Sequence, residues 1–301
     1  MAGNHIFRKS FRPSLVDGAY WFGPPFPVPA HIPRPHESTQ TKFCQRVKHD
    51  ELEYARSSAR IAASALAFAK SLVKTGVTTE AIDTEVSRYI VSRKAFPSGI
   101  GFMGFPKAIC QSVNEIIAHG IPDNRPLEDG DIVNFDITAY KGGFYGDNSD
   151  TFLVGNVDEE GKKLVAASRE ALEAAIHICR PGQRFSCIAD EIQRVSCKYG
   201  YGVVEYFCGH FIGREMHISP NIHHTCNVDI IKNLTMETGM LFTIEPILTE
   251  GGTEYEIWND SWTYVTKDRG RTAQAEHMIL ITETGHEVLT IPDDSSFHAG
   301  D

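Results

Sequence analysis

Apolar and polar residues alternate through the stretch from Gly130 to Phe152, which reads GDIVNFDITAYKGGFYGDNSDTF. A period of two is typical of a strand with one apolar face. The apolar positions are Val133, Phe135, Ile137 and Ala139. The turn residues Lys141-Gly142-Gly143 follow, so the pattern predicts two strands joined as a hairpin.

Two aspartates fall within this predicted hairpin. Asp136 occupies a polar position of the first strand, and Asp147 lies eleven residues later on the returning strand. Aspartate is disfavoured in strands, and like charges on paired strands repel. Either both side chains therefore face water, or a positive charge lies between them.

Helical patterns come before and after the hairpin, in a similar order. The first pattern extends from about Asp50 to Val73 and ends near Gly76, and Thr78 or Thr79 begins a second helix that continues to about Ser92. Strands are predicted around residues 109–118 and 131–154. A helix over 161–179 then ends near Gly182, and a helix capped by Ser186 continues to about Tyr199, followed by the strand MLFTIEPIL.

The two strand entries resemble each other. LEDGDIVNFD (127–136) and METGMLFTIE (236–245) both place an acid six residues after a glycine. Gly130 and Gly239 are 109 residues apart, and the helix-ending Gly76 and Gly182 are 106 apart. These offsets predict a duplication, with two α+β halves related by a pseudo-twofold axis. Asp136 and Glu245 would then face one central cleft.

Composition narrows the class of protein. The chain has 301 residues and a formal net charge of −10, so an extended nucleic-acid surface is not expected. No apolar stretch approaches the length of a membrane span. Its seven cysteines form no CxxC pair, which argues against a disulfide framework or a thiolate zinc module.

Several ionisable residues lie in apolar or tightly turned surroundings. They are Asp136, Asp147, His210, Glu245 and Glu276. One such carboxylate alone is usually a structural group, but four that converged would need a counter-charge. Carboxylates with one imidazole suit Mn, Fe, Co or Zn, and bridging carboxylates fit a site with two metal ions. Calcium is less favoured, because histidine is a poor ligand for it.

Further histidines accompany these acids. His119 ends an apolar strand, and His217 lies seven residues after His210. Beside a metal centre, each can act as a donor to a substrate amide or to an oxyanion. The tract His223-His224 with Cys226 is interpreted instead as a structural loop.

Four stretches together resemble the type I methionine aminopeptidases, over roughly residues 45–290. They are GFPKAICQSVNEIIAHGIPDNRPLEDGDIVNFDITAYKGGFYGDNSDTFLVG, GHFIGREMH, FTIEPIL and SWTYVTKDRGRTAQAEHMILIT. The resemblance implies the α+β pita-bread fold, with two pseudo-twofold halves, antiparallel sheet inside and helices outside. It also implies removal of the initiator methionine from nascent polypeptides whose second residue is small, by a monomer acting at the ribosome.

The resemblance also assigns roles. It implies that Asp136 chelates one metal ion, that Asp147 and Glu276 bridge two ions, and that His210 and Glu245 complete the ligands of the second ion. Glu245 would move protons to and from the attacking water. His119 would contact the scissile amide or the free amino end, and His217 would stabilise the carbonyl oxygen. The implied methionine pocket consists of Phe102, Phe105, Cys110 and Trp262.

Two positions depart from the family pattern. Phe211 stands where the family usually has glycine, directly after His210, and its ring could narrow the cleft or move the backbone beside that ligand. Ala275 stands where an aromatic residue usually precedes Glu276, and Phe211 could fill the space that it leaves. All the ligands are present, so an active enzyme is expected, with an altered tolerance for the second residue as one alternative.

The region before the catalytic domain is rich in proline. We expect residues 1–45 to form an N-terminal arm and residues 46–295 the metallo-aminopeptidase domain. Residues 1–16 contain basic residues and no acid, which is typical of a targeting segment or of a basic tail. FPVPAHIPRP resembles the short arm of eukaryotic organellar members. Mitochondria are therefore the expected location, with the cytoplasm as the alternative.

Two rival functions remain at this stage. A proline-directed aminopeptidase has the same fold, but such relatives usually add a separate amino-terminal domain. A non-catalytic binding protein could also keep the fold, although such proteins typically lose metal ligands.

Overall fold

The computed structural model describes residues 17–36, 46–226 and 233–292. The proposed targeting segment (1–16), part of the arm (37–45) and residues 293–295 of the expected domain lie outside the described residues. The helices are α1 (Leu52–Leu72), α2 (Thr79–Ser92), α3 (Glu159–His177) and α4 (Ser186–Tyr199), with short 3-10 turns at His49–Glu51 and Phe102–Gly104. The predicted ranges of all four helices match to within about two residues.

The strands of the first half include the predicted hairpin. They are β1 (Phe96–Pro97), β2 (Cys110–Val113), β3 (Ile116–Ala118), β4 (Ile132–Lys141) and β5 (Phe144–Leu153). Those of the second half are β6 (Gly202–Val203), β7 (Gly209–Phe211), β8 (Ile218–Ile222), β9 (Leu241–Ile244), β10 (Ile247–Thr249), β11 (Tyr255–Ile257), β12 (Tyr264–Thr266), β13 (Thr272–Gln274), β14 (His277–Ile281) and β15 (His286–Val288).

Strands β4 and β5 pair over their full length around a two-residue turn. The turn residues Gly142 and Gly143 have φ of 61° and 88°, a conformation that only glycine adopts without strain. The alternating apolar residues of β4 are 0% exposed and belong to one core cluster with α1 and α2. The opposite face of the hairpin is also largely buried, so its polar residues do not simply face bulk water.

The two halves repeat the same order of elements around antiparallel sheets. In the first half, α1 and α2 precede a sheet ordered β1-β4-β2, with β5 paired to β4. In the second, α3 and α4 precede the sheets β13-β10-β6 and β15-β14-β9-β7-β8.

Backbone hydrogen bonds repeat as well. The amide of Gly76 donates to Leu127 O at 2.7 Å, and the amide of Gly182 donates to Met236 O at 2.8 Å. Likewise Gly130 N donates to Val154 O at 2.6 Å, and Gly239 N donates to Ile281 O at 2.8 Å. All four glycines have φ between 81° and 88°. The repeat of both contacts and conformation supports the predicted duplication.

One predicted helix start is wrong in detail. Thr78 caps α2, since its hydroxyl accepts a hydrogen bond from Ala81 N at 3.2 Å. Ser186, by contrast, is the first helical residue of α4, and the position before it is Phe185. Phe185 is 0% exposed and packs in the core of the second half. Burial of this ring therefore outweighs the gain from a capping hydroxyl.

The halves are joined where β5 meets the segment before β14. The Thr151 hydroxyl donates to Gln274 O at 2.8 Å and accepts from Gln274 N at 3.0 Å. Glu276 N donates to Ser149 O at 2.8 Å. These bonds bring Glu276 beside the strand that carries Asp147.

The proline-rich arm packs on the domain through a buried lysine. Lys107 is 2% exposed, and its Nζ donates to Glu80 Oε1 at 2.8 Å and to Pro24 O at 3.4 Å. Glu80 also accepts from Gly23 N at 2.9 Å. The arm is thereby anchored beside the segment that carries Phe105 and Cys110. None of the described helices combines the length and apolar character that a membrane span requires.

Candidate metal centre

The register of the hairpin places Asp136 and Asp147 on one face. Asp147 lies opposite Thr138, and Thr138 is two residues from Asp136 on the same strand. Residues directly opposite and residues two apart share a face of a sheet, so both carboxylates point the same way. Thr138 Oγ1 donates to Asp147 Oδ1 at 2.7 Å, which fixes the orientation of that carboxylate.

The second half brings the remaining ligands from neighbouring strands. His210 lies in β7, Glu245 follows β9 and Glu276 precedes β14, and these strands are adjacent in one sheet. His210 Nε2 is 3.7 Å from Asp147 Oδ2 and 3.7 Å from Glu245 Oε1. Ligand atoms of Asp147, His210 and Glu276 lie within 4.8 Å of one another, the only such group of three or more found in the described part of the chain.

Burial without a counter-charge dominates the electrostatics here. Burial, together with repulsion from neighbouring carboxylates, raises the pKa of Asp136, Glu245 and Glu276 well above the ordinary range. Burial raises the pKa of Asp147 to about 6, despite the opposing hydrogen bond from Thr138. Among the described residues, no lysine or arginine forms an ion pair with any of the four.

His210 does not supply the missing positive charge. Burial lowers its pKa well below the usual value, so the ring is neutral. Its Nδ1 lies 3.1 Å from Phe211 O, and a carbonyl only accepts, so Nδ1 carries the proton. The lone pair of Nε2 then faces carboxylate oxygens, an arrangement that a cation between them stabilises. Carboxylate oxygens with one imidazole nitrogen fit a divalent transition metal.

Both further histidines lie beside this cluster. The ring of His217 is 4.3 Å from that of His210, and it meets Phe102 edge-on at 5.2 Å. His119 is 6.1 Å from Trp262, whose ring meets Phe105 at 5.1 Å. Burial lowers the pKa of His119 to about 4 and also lowers that of His217, so both rings are neutral near pH 7.

Cys110 completes the set of predicted pocket residues. It pairs with Asp136 across β2 and β4. Burial, and then the nearby carboxylates, raises the pKa of its thiol well above the ordinary value, so the sulfur remains an uncharged thiol. The structure thus brings all eleven predicted site residues into one region.

Sequence reasoning missed the polar residues that hold the acids. Thr243 Oγ1 accepts from His210 N at 3.1 Å and donates to Glu245 Oε1 at 3.0 Å. Gln274 Nε2 donates to Glu245 Oε2 at 3.3 Å. Thr138, Thr243 and Gln274 each lie two residues from an acid, and the strand period of two could have identified them.

His224 was interpreted from the sequence as part of a loop without function. It is 1% exposed, and burial lowers its pKa to about 3, so the ring is neutral. Its Nε2 accepts from Gly209 N at 3.3 Å and from Glu245 N at 3.4 Å. One buried imidazole therefore ties the backbone beside His210 to the backbone of Glu245.

Phe211 points into the core of the second half. It is 1% exposed, and its ring meets Phe185 at 5.3 Å and Phe242 at 6.0 Å. Ala275 belongs to the same apolar cluster. Phe211 therefore fills core volume and does not narrow the cleft, although the pairing of β7 with β8 shifts register between Gly209 and Phe211.

Comparison with known proteins agrees with this geometry. The model of metallopeptidase family M24 matches residues 53–283. The chain belongs to this family. It is 44% identical over 284 residues to methionine aminopeptidase 1D, mitochondrial, of Homo sapiens, covering 92% of this chain and 82% of that protein. It is 45% identical over 289 residues to methionine aminopeptidase 1D, chloroplastic/mitochondrial, of Arabidopsis thaliana, covering 94% and 80%.

Solved structures of other proteins share the fold. Methionine aminopeptidase from Rickettsia prowazekii superposes with a TM-score of 0.80 at 35% identity, covering 83% of this chain and 100% of that one. Prolidase from Pyrococcus furiosus superposes at 0.65 with 21% identity, covering 82% and 66%, and this likeness concerns the fold alone. The pita-bread fold and the resemblance to type I methionine aminopeptidases are confirmed, and with them a metal-dependent hydrolase.

Loading the M24 centre with a divalent ion is expected to release protons. Burial and mutual repulsion raise the pKa of Asp136, Glu245 and Glu276 well above the ordinary range, which favours protonated carboxyls in the metal-free site, and the ion must displace these protons. Affinity should therefore rise as pH rises from about 6 to 8. Calorimetric titration of Mn²⁺ in buffers of different ionisation enthalpy measures the number released. Binding without proton release, and with the same affinity at both pH values, would contradict the electrostatic description.

His224 is expected to support the ligands through its acceptor atom. His224→Leu removes the acceptor and should weaken Mn²⁺ binding by about 10–100-fold, as loss of outer-shell support commonly does. His224→Gln keeps a side-chain oxygen that can accept the same N–H groups, and it should recover part of the affinity. Calorimetry gives the affinities, and the melting temperature of the metal-free variants reports any general loss of stability. An Mn²⁺ affinity equal to that of the wild-type protein in both variants would refute this role.

Proposed function

We propose that this protein removes the N-terminal methionine from nascent polypeptides whose second residue is small. The observation that carries the proposal is the buried cluster of Asp147, His210 and Glu276, with the neutral thiol of Cys110 paired beside Asp136 and the ring of Phe102 against that of His217. One side of the site can hold divalent metal, and the other can hold a thioether side chain. The relatives at 44% and 45% identity carry the name of this activity.

Two divalent ions per chain suit the donor set. The residues that would hold the ions are Asp136, Asp147, His210, Glu245 and Glu276. Four carboxylates and one imidazole exceed the needs of a single catalytic ion. Mn, Fe, Co and Zn all accept these donors. When bound, the ions supply Lewis acidity at the scissile carbonyl.

The protein's own groups position the substrate and move protons. His119 and His217 are neutral near pH 7, so each can donate a hydrogen bond without carrying charge. We assign His119 to the scissile amide or the free amino end, and His217 to the carbonyl oxygen. Glu245 accepts hydrogen bonds from Thr243 and Gln274, which orient it to hold or pass on a proton.

The pocket suits methionine for physical reasons. Phe105 and Trp262 meet edge to face at 5.1 Å, which forms a rigid apolar wall, and Phe102 lies on the side of His217. The Cys110 thiol is uncharged and polarisable. Aromatic faces and a neutral sulfur contact a thioether favourably.

The rival functions are weaker. The prolidase likeness extends to the fold alone, whereas the methionine aminopeptidases match at 44% and 45% identity over most of the chain. A non-catalytic binding protein would have no need for buried, unpaired carboxylates, which destabilise the metal-free fold. Association with the ribosome and a monomeric state complete the proposal.

An organelle, most specifically the mitochondrion, is the proposed location. The human relative is named mitochondrial and the Arabidopsis relative chloroplastic/mitochondrial. Residues 1–16 also contain Arg8, Lys9 and Arg12 without any acid. The amino terminus of the protein purified from fractionated cells should begin downstream of Met1 and come from the mitochondrial fraction. An intact Met1 in the cytosol would reject import with cleavage.

Methionine release is the direct test of the activity. We expect the metal-loaded protein to release methionine from Met-Gly-Ser much faster than from Met-Leu-Ser, and chelation to abolish release until Mn, Fe, Co or Zn is restored. Asp136→Asn should lower activity by at least about 100-fold, because the amide is a poor ligand at a site built for carboxylate. No release from Met-Gly-Ser with any of these metals would refute the proposal.

A further inference from the structure

A continuous row of aromatic rings leads from His119 to the protein surface. We call it the aromatic strip, and it consists of Phe207, Tyr264, Tyr255 and Tyr206. His119 meets Phe207 edge-on at 5.2 Å and Tyr264 at 5.8 Å. Tyr264 is 5.2 Å from Tyr255, and Tyr255 is 4.6 Å from Tyr206. Phe207, Tyr264 and Tyr255 are half-buried, and Tyr206 at the end of the row is 55% exposed.

The outer end of the strip is an apolar patch. Tyr255 and Ile257 lie two residues apart on β11 and therefore share a face. Ile257 is paired with Tyr264 across β11 and β12, and it is 46% exposed. Tyr206 and Ile257 are thus exposed apolar side chains, the first held by its contact with the Tyr255 ring and the second by its place on β11 opposite Tyr264. Rigid aromatic side chains give contact area at little entropic cost, as in many peptide-binding surfaces.

His119 contacts both this strip and a residue of the proposed methionine pocket. Its ring centroid is 6.1 Å from that of Trp262, which meets Phe105, and it also meets Phe207 and Tyr264 of the strip. A substrate with its methionine against Trp262 and its scissile amide near His119 must continue away from the pocket. The strip is the apolar surface that continues from this point.

We propose that the aromatic strip binds substrate residues beyond the second, and that its outer patch of Tyr206, Tyr255 and Ile257 contacts apolar side chains at about the fourth and fifth positions. The inference rests on the proposed function and extends it to a preference among nascent chains. The occupant is an extended peptide with apolar side chains. Glu254 and Glu256 at the edge of β11 pair with Lys267 and Arg269, so the patch itself presents little net charge.

Peptides of different length separate this role from the chemistry. Met-Gly-Ser ends before the outer patch, whereas Met-Gly-Ser-Phe-Leu reaches it and Met-Gly-Ser-Ser-Gly reaches it without apolar side chains. In the wild-type protein, KM should be lowest for Met-Gly-Ser-Phe-Leu. Tyr206→Ser should raise KM for that peptide about fivefold, leave kcat unchanged, and leave both constants for Met-Gly-Ser unchanged.

Tyr54→Ser is the matched control. Tyr54 is 53% exposed, nearly the same as Tyr206, and it lies in α1 with its ring stacked on Phe144, outside the strip. This variant should have the same KM and kcat as the wild-type protein for all three peptides. Ile257→Ser should reproduce the Tyr206→Ser effect, which guards against a fault peculiar to one variant.

The following results of these measurements would contradict the inference. An unchanged KM for Met-Gly-Ser-Phe-Leu in both strip variants would show that the patch does not contact substrate. An equal rise in KM for Met-Gly-Ser, or the same rise in KM in the Tyr54→Ser variant, would show an effect on the catalytic site or on stability instead. Failure of the wild-type protein to cleave Met-Gly-Ser at all would refute the proposed function itself, and is distinguishable from these results.

Discussion

The burial of four carboxylates without a protein cation is the constraint on which this structure depends. Two of them accept side-chain hydrogen bonds: Asp147 from the Thr138 hydroxyl, and Glu245 from the Thr243 hydroxyl and the Gln274 amide. These bonds orient the acids but do not offset the effect of burial, since the pKa of all four carboxylates remains raised. In the metal-free fold this repulsion is relieved by protons, and a divalent cation that replaces them and binds the folded site stabilises the native state.

The internal duplication explains how the acids reach one place. Equivalent glycine-centred hydrogen bonds begin the sheets of both halves, so Asp136 and Glu245 are carried by related strands. The donors themselves are not symmetric. The first half supplies two aspartates from one hairpin, and the second supplies a histidine and two glutamates from three adjacent strands. The repeat thus provides a common frame, and each half adds its own ligands.

Much of this site could be predicted from sequence, because its signals are local. The alternation around Asp136, the glycine turn and the acids placed among apolar residues all lie within short windows. Features that depend on contacts across the fold could not be predicted. Ser186 is a typical capping residue, but the capping position is taken by Phe185, which is buried in the core. His224 lies in a polar stretch of sequence, but its ring accepts hydrogen bonds from the backbone of Gly209 and Glu245, which are far from it along the chain.

Burial in the cleft shifts the pKa values of its carboxyl groups and of its histidines in opposite directions. Burial raises the pKa of Asp147 to about 6, so this carboxyl contributes stability to the metal-free fold at low pH and loses it as pH rises from about 3.8 through 6. Burial lowers the pKa of His119 to about 4, so this imidazole contributes stability above pH 6.5 and loses it as pH falls through 4. The two effects oppose each other in the same window. A bound cation removes the pH dependence that comes from Asp147 and leaves the one that comes from His119. Metal binding therefore makes the fold most stable near neutral pH, where His119 and His217 are uncharged hydrogen-bond donors.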